Sequence, residues 1–376
     1  MKSSQHHMKE QTLRWGFLST AHIGRKNWKA IRNSGNGTLV AVASRSIERS
    51  REFIRECQKD VPFDSAPRAL GSYEELLSAT DIDAVYIPLP TGLRADWVIR
   101  AAEAGKHIVC EKPCATSAAE LKRMLEACER NNVQFLDGVM FMHSARLDAM
   151  REAMEDSGGV GRIRRISTAF SFRAPDEFFR ENIRADSALE PFGCLGDLGW
   201  YCIRFALWAM KWQMPHRVAG RLLAETRSQG GPGVPTEFSG ELFFEDGVSS
   251  GFYCSFLTHN EQWAYISGTQ GYLHLADFVA PFFGSELEFT MANTVHNVSG
   301  CDFNMEPRRR RCTVQEYSNS HATAQETNLF RHFAAQVRSG KRNPSWPDIA
   351  LKTQRVMETC LESAAKGGAL VELPPV

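Results

Sequence analysis

Leu13-Arg14-Trp15-Gly16-Phe17-Leu18, leading straight into Ser19-Thr20-Ala21-His22-Ile23-Gly24, is the stretch whose reading decides the fold. The first six residues make a short apolar strand, a turn follows, and a helix is expected over residues 23–33. Strand, turn and helix in that order open a βαβ unit.

The pattern repeats downstream. A strand at 39–43 precedes a helix at 47–58, in which Phe53 and Ile54 interleave with charged residues at helical spacing. An apolar strand at 84–89, a helix at 95–104 and a strand at 107–110 come next. Ser117 and Glu120 form a capping box that opens a helix ending near Asn131, and a strand resumes at 133–137. Short, nearly all-apolar strands alternating with helices imply a parallel sheet covered on both faces. Residues 12–138 therefore read as an α/β, doubly wound Rossmann-type domain, after a disordered lead-in at 1–11.

The texture changes after Ser157-Gly158-Gly159-Val160-Gly161. Strand-like alternation at 164–172 and 237–258, with a hairpin turn at Glu245-Asp246-Gly247, is followed by strand candidates at 263–267, 272–278 and 287–290. Residues 139–376 read as an α+β domain with a large, open, mainly antiparallel sheet. Such a sheet needs one apolar face covered, by helices or by a second subunit. Residues 325–363 return to helix, broken at Ser339-Gly340, Pro344 and Pro347.

Composition narrows the partners. The 376 residues carry 44 Lys+Arg against 44 Asp+Glu, so no global field favours nucleic acid or an anionic membrane. No apolar run reaches membrane-spanning length, and the polar start reads as that of a cytoplasmic protein with a small-molecule partner. The ten cysteines include no Cys-x-x-Cys pair and no matching His cluster, which points to free, mostly buried thiols and no metal.

A dinucleotide-binding fold places G-x-G-x-x-G in the first turn, so that backbone approaches a pyrophosphate at a helix N-terminus. Here Ser19, Thr20, Ala21, His22, Ile23 and Gly24 align with it. Ala21 permits close approach if its φ is negative, and Gly24 keeps a tight helix-to-strand contact. After the second strand, where NAD-specific folds place an acid, stands Ser44-Arg45-Ser46. Arg45, helped by Ser44 and Ser46, can pair with a 2′-phosphate, which favours NADP over NAD. The competing reading makes Arg45 a solvated loop residue.

Three more segments complete a recognisable set: Ala84-Val85-Tyr86-Ile87-Pro88-Leu89-Pro90, Ala104-Gly105-Lys106-His107-Ile108-Val109-Cys110-Glu111-Lys112-Pro113, and Gly193-Cys194-Leu195-Gly196-Asp197-Leu198-Gly199-Trp200-Tyr201. With them the chain resembles, from Trp15 to Leu373, the glucose–fructose oxidoreductase/inositol dehydrogenase (Gfo/Idh/MocA) family, nearest its NADP-dependent dihydrodiol and D-xylose dehydrogenase branch. The resemblance implies hydride transfer between NADP, or NAD, and a CH–OH group of a sugar or cyclic diol. It also implies a homodimer through the second-domain sheet, and a cofactor wall that includes Pro88, Leu89, Pro90, Thr91, Glu111 and Lys112. In similar proteins the lysine contacts ribose and substrate oxygen, and the peptide before its proline is cis.

Alcohol oxidation needs a base for the hydroxyl proton as hydride leaves. Asp197 and Tyr201, four apart, fall on the family's Asp-x-x-x-His/Tyr motif and share a helix face. Tyr201 is assigned as proton donor or acceptor, Lys112 as its electrostatic partner and oxygen anchor, and Asp197 as a clamp on a substrate hydroxyl. Burial beside a cationic nicotinamide is expected to lower the Lys112 pKa. Thr91 and Arg94 stand where many members carry Asn and His, and His143 where an Arg is common. Arg94, His143 and Asn182 are candidate substrate contacts, and Phe172, Arg173 and Arg184 can also enter the cleft. Arg308-Arg309-Arg310-Arg311 reads as a solvated loop. Two other functions compete: a redox-neutral NAD-dependent glycosidase and a non-catalytic NADP-sensing regulator.

Overall fold

A computed structural model describes residues 12–227 and 231–373 of the chain, so the expected lead-in at 1–11 lies outside the described residues. The first half runs β1 (Leu13–Leu18), α1 (Ile23–Ser34), β2 (Gly37–Ala43), α2 (Ile47–Asp60), β3 (Arg68–Leu70), α3 (Tyr73–Ser78), β4 (Ala84–Ile87), α4 (Thr91–Glu103), β5 (His107–Cys110), α5 (Ala118–Arg130) and β6 (Phe135–Asp137). The strands are parallel in the order β3-β2-β1-β4-β5-β6, the doubly wound arrangement. Trp15, Phe17, Val85, Tyr86, Ile108 and Val109 are fully buried because helices cover both faces.

Ser117 caps its helix as expected, and Ser46 and Ser72 do the same for theirs: each accepts a backbone N–H three residues on. The Ser72 cap opens α3, which the sequence reading passed over although Ser72 and Glu75 repeat the capping-box spacing. Helix α4 begins at Thr91 rather than at 95, because Pro90 supplies the extended residue before it and Thr91-Gly92-Leu93 joins the first turn.

The second half contains α6 (Ala145–Glu155), β7 (Ile163–Ser171), α7 (Phe178–Glu181), α8 (Trp200–Ala209), β8 (Arg217–Thr226), β9 (Val234–Phe243), β10 (Ser249–Ser255), β11 (Glu261–Gly268), β12 (Tyr272–Leu275), β13 (Leu287–Ala292), β14 (Val295–Ser299), β15 (Asp302–Glu306), β16 (Arg309–Val314), α9 (Gln325–Arg338), α10 (Ser345–Ala365) and β17 (Val371–Glu372). Nine strands form one open sheet, β16-β13-β12-β11-β7-β10-β9-β8-β17, antiparallel except where β10 meets β7. Asp246 and Gly247 take left-handed φ in the β9–β10 hairpin, and β14 pairs only with β15.

Every residue of α8 is buried under this sheet, whereas among the described residues no helix covers Trp263, Tyr265 and Tyr253 on its other face. Helices α9 and α10 cross back to the first sheet. Phe330 packs edge-on against Trp15 at 5.1 Å, and buried Arg204 on α8 bonds Asp137 of β6 (2.6 Å) and Thr353 of α10 (2.8 Å).

Two expectations need correction. Arg309–Arg311 are not a loop but the start of edge strand β16, paired with β13, where a row of charges keeps other chains from adding to the sheet. Pro347 does not break a helix, because it sits in the first turn of α10, where its missing N–H costs nothing.

Candidate active site

The C-terminal ends of β1, β4 and β5 face the start of α8 across a cavity of about 700 Å³. Ala21, His22, Ile23, Pro88, Leu89, Pro90, Glu111 and Lys112 line it from the first domain; Asn182, Asp197 and Tyr201 line it from the second. Arg94, Phe172 and Arg184 also border it, together with Phe170 and Glu190, two residues the sequence did not single out. Arg173 does not.

Local conformation explains the turn after β1. Ser19 has φ +133°, a backbone state that favours glycine, and its Oγ accepts the Ala21 N–H at 3.2 Å. Ala21 is not among the positive-φ residues, as close backbone approach requires. Gly24 lies against Phe53 and Phe17, leaving little room for a side chain. No side chain caps α1 and no acid stands in its first turn; Gly24 N and Arg25 N donate to Ala21 O and His22 O, so it is the start of the turn at His22 and Ile23, with the helix dipole behind it, that suits an anion. Arg45 is exposed at the tip of β2 with no acid at that tip, although Glu48 accepts a bond from Ser46 on the following helix.

Lys112 is the centre of the site. Its Nζ donates to the Asp197 carbonyl oxygen and to Asp197 Oδ1, both at 2.6 Å, and lies 4.6 Å from the centre of the Tyr201 ring. The Lys112–Pro113 peptide is cis. Burial on its own lowers the Lys112 pKa, as the sequence reading expected, yet the Asp197 carboxylate and Tyr201 outweigh it and the pKa is raised. Lys112 is therefore an ammonium with three donors, of which two are engaged. Burial pushes the Tyr201 phenol up, against the pull of Lys112, so the phenol keeps its proton at neutral pH. Asp197 is driven the other way: burial opposes its ionisation, but Lys112 and Arg184 hold it at about 2. Arg184 Nε donates to Asp197 Oδ2 at 2.7 Å, so both carboxylate oxygens face cations. Glu111 accepts from the buried Tyr86 hydroxyl at 2.6 Å.

Asp197 and Tyr201 do not lie on one regular α-helix. Leu195–Gly199 forms a π-helical turn that runs into α8. Single π-turns are rare and concentrate at functional sites. The glycines make this one fit: a β-carbon on Gly193, which has φ +47°, would strike the Pro235 carbonyl, and one on Gly196 would press on Phe192 and Pro113.

Five expected site residues have other tasks. Ser44 is buried, and its hydroxyl is used up within its own turn, donating to Ser46 O (2.6 Å) and accepting from Ser46 N and Ser50 Oγ. Ser46 caps α2. Thr91 is fully buried and does not line the cavity, because its N–H and hydroxyl bond Glu190. His143 is outside the cavity too: its Nδ1 lies 3.2 Å from His332 Nδ1 and its ring against Trp346, a pairing across 189 residues of chain. Arg94 borders the cavity, but its guanidinium is spent on the Leu89 and Pro113 carbonyls.

A parallel sheet with its strand ends facing a buried Lys-Asp-Tyr group defines a nicotinamide-type oxidoreductase architecture. Family models agree: residues 13–138 match the GFO/IDH/MocA oxidoreductase family with NAD-binding Rossmann fold, and 148–274 its C-terminal domain. The chain is 32% identical over 358 residues to a D-xylose 1-dehydrogenase (NADP(+)) of Haloferax volcanii, covering 95% of this chain and 98% of the relative. It is 29% identical to mouse trans-1,2-dihydrobenzene-1,2-diol dehydrogenase, over 72% of this chain and 76% of that one. Among solved structures, a 3-ketoreductase from Actinomadura kijaniata complexed with NADP and TDP-benzene superposes with TM-score 0.77 at 22% identity, covering 94% and 98% of the two chains. The chain belongs to the GFO/IDH/MocA oxidoreductase family.

Proposed function

We propose that this chain is an NADP-dependent oxidoreductase that moves a hydride between nicotinamide and a CH–OH group of a sugar or cyclic diol. The observation that carries this reading is the single cavity in which Lys112, Asp197 and Tyr201 meet the open first turn of α1 and the ends of β4 and β5.

The residues fit a dinucleotide. Ser19, Thr20, Ala21, His22 and Ile23 would hold the pyrophosphate at the uncapped α1 N-terminus, and Arg45 the 2′-phosphate. Pro88, Leu89, Pro90, Glu111 and Lys112 would flank the nicotinamide end. When bound, that group gives or takes a hydride at its ring carbon.

The protein's own part is proton and oxygen handling. Lys112 keeps one N–H for a substrate or ribose oxygen while Asp197 fixes the other two donors. Tyr201, protonated at neutral pH and beside the ammonium, delivers a proton to a carbonyl oxygen in reduction; the reverse step returns it. Lys112 also stabilises the oxygen as negative charge develops. Asp197, already shared between two cations, acts first as the counter-ion that sets Lys112 in place, and Asn182 offers a further polar contact.

The uncovered sheet face with Trp263, Tyr265 and Tyr253 supports pairing of two copies through this sheet. All ten cysteines are free thiols, which supports a reducing, cytoplasmic setting, and no helix among the described residues is long and apolar enough to cross a membrane. We divide the chain at residue 138, where β6 ends the parallel sheet and the second-domain elements begin. NADPH binding followed by tryptophan-to-nicotinamide energy transfer tests the cofactor reading: saturable transfer at micromolar NADPH is expected, and its absence would remove the proposal.

A further inference from the structure

Residues 182–190 of the second domain grip the reaction site at both ends. At one end Arg184 Nε bonds Asp197 at 2.7 Å. At the other, Glu190 accepts from Thr91 N at 3.0 Å and from Thr91 Oγ1 at 2.6 Å, so a carboxylate of one domain caps the first turn of α4 in the other. Gly92 N donates to Leu189 O at 2.9 Å beside it, and a β-carbon on Gly92 would run into the Ala188 carbonyl oxygen. The segment thus lies flush on a helix N-terminus, where exposed N–H groups and the helix dipole favour a negative charge.

Arg94 lies one turn into α4 and is 5% exposed. Its Nε donates to Leu89 O at 2.6 Å, its Nη1 to Pro113 O and to Thr91 Oγ1, and its Nη2 stands 3.9 Å from Glu190. Leu89 follows β4, and Pro113 follows Lys112 after β5. One cation with a rigid fork of donors therefore ties both cavity-lining loops of the first domain to a carboxylate of the second. Removing Glu190 leaves buried Arg94 without this counter-charge, whereas removing Arg94 leaves the half-buried Glu190 with its Thr91 bonds.

We propose that Glu190 and Arg94 are positioning residues: together they latch segment 182–190 onto the first domain, and the latch keeps Arg184 on Asp197 and Asp197 on Lys112. Neither reaches a reacting atom; they act through Thr91, the Leu89 and Pro113 carbonyls, and Arg184. The latch rests on the reading of Lys112, Asp197 and Tyr201 as the oxidoreductase site, and it links domain contact to the placement of the Lys112 ammonium.

The test compares wild type, Glu190→Ala and Glu190→Gln in the full chain. Hydrogen–deuterium exchange of residues 182–190 and of the first turn of α4 reads the latch without cofactor or substrate. In Glu190→Ala both segments are expected to exchange faster together, and kcat/KM to fall about 10²-fold, the scale of a displacement near 1 Å. The acid limb of the pH profile is expected to move to higher pH as Asp197, faced by Lys112, Arg184 and Tyr201, loses Arg184. Adding Arg184→Gln or Arg94→Gln to Glu190→Ala is expected to cost little more than the worse single change. Glu190→Gln, which keeps one acceptor and the side-chain shape, is expected to lie between wild type and Glu190→Ala, and it gives the same readings should the alanine variant not fold. Unchanged exchange in either segment, fully additive double variants, or an unmoved acid limb overturns the latch. Faster exchange at both segments in a protein whose wild type never binds NADPH upholds the latch contact and instead removes the oxidoreductase reading.

Discussion

Replacing Asp197 with Asn removes one charge and almost no shape, and the cost can be worked from the site. Lys112 stands 2.6 Å from one carboxylate oxygen and Arg184 2.7 Å from the other, with Lys112 and Asp197 only 9% and 16% exposed. Burial raises the carboxyl pKa, but the two cations prevail and hold it at about 2, against an ordinary value of 3.8. At 1.36 kcal/mol per pKa unit this amounts to roughly 2–3 kcal/mol of stability at neutral pH. Because the folded pKa lies below the unfolded one, the contribution is complete above about pH 4 and fades as pH falls towards 2. Asn also turns an NH₂ donor towards buried Lys112 or towards Arg184, which is 41% exposed and screened by solvent, so the total is expected to stay within about 3 kcal/mol at pH 7. With its counter-ion gone, Lys112 is left with the lowering effect of burial, so turnover is expected to fall about 10²-fold, at 1.4 kcal/mol per decade. Urea unfolding at several pH values and steady-state kinetics measure both quantities. A stability loss under about 1 kcal/mol, or a gap between variant and wild type that does not narrow on acidification, would refute the reasoning.

Three further outcomes are expected. Tyr201→Phe should lower turnover by about 10²–10⁴-fold, the usual worth of a positioned general acid or base, while leaving NADPH affinity within a few-fold in a fluorescence titration. Arg45→Ala should weaken NADP binding by roughly 10- to 100-fold, the worth of a charge-assisted contact of about 1.5–3 kcal/mol, with little effect on NAD; equal losses for both cofactors would return Arg45 to the role of a solvated loop residue. Gly92→Ala should destabilise the chain by about 1–3 kcal/mol in thermal or urea unfolding, because the new methyl meets the Ala188 carbonyl across the domain contact.

The sequence was most legible where signals are local. Apolar strands such as Ala84–Ile87 and serine caps such as Ser117 can be read within a few residues, and they fix the parallel domain. The Lys112, Asp197 and Tyr201 candidates came from motifs, and the structure brings all three to one cavity. What escaped was long-range pairing. Thr91 meets Glu190 across 99 residues and His143 meets His332 across 189, and a residue's own neighbours carry no sign of such a partner. Arg94 reads as a substrate contact because an arginine near a cleft has that chemistry; the folded loops instead take its donors with the Leu89 and Pro113 carbonyls. The π-turn at Leu195–Gly199 escaped because a one-residue widening hardly alters the spacing of a short apolar segment. The edge strand at Arg309–Val314 was hidden by its charge, which suits an edge and resembles a loop.

The most direct test of the central claim is a parallel screen of pentoses, hexoses and trans-dihydrodiols with NADP and NAD, following the nicotinamide absorbance for wild type, Lys112→Met and Tyr201→Phe. The expected result is net reduction of NADP, in preference to NAD, with at least one compound, and collapse of that rate in both variants while their folds stay intact. Turnover without net change in nicotinamide, or near-normal rates in both folded variants, would contradict it.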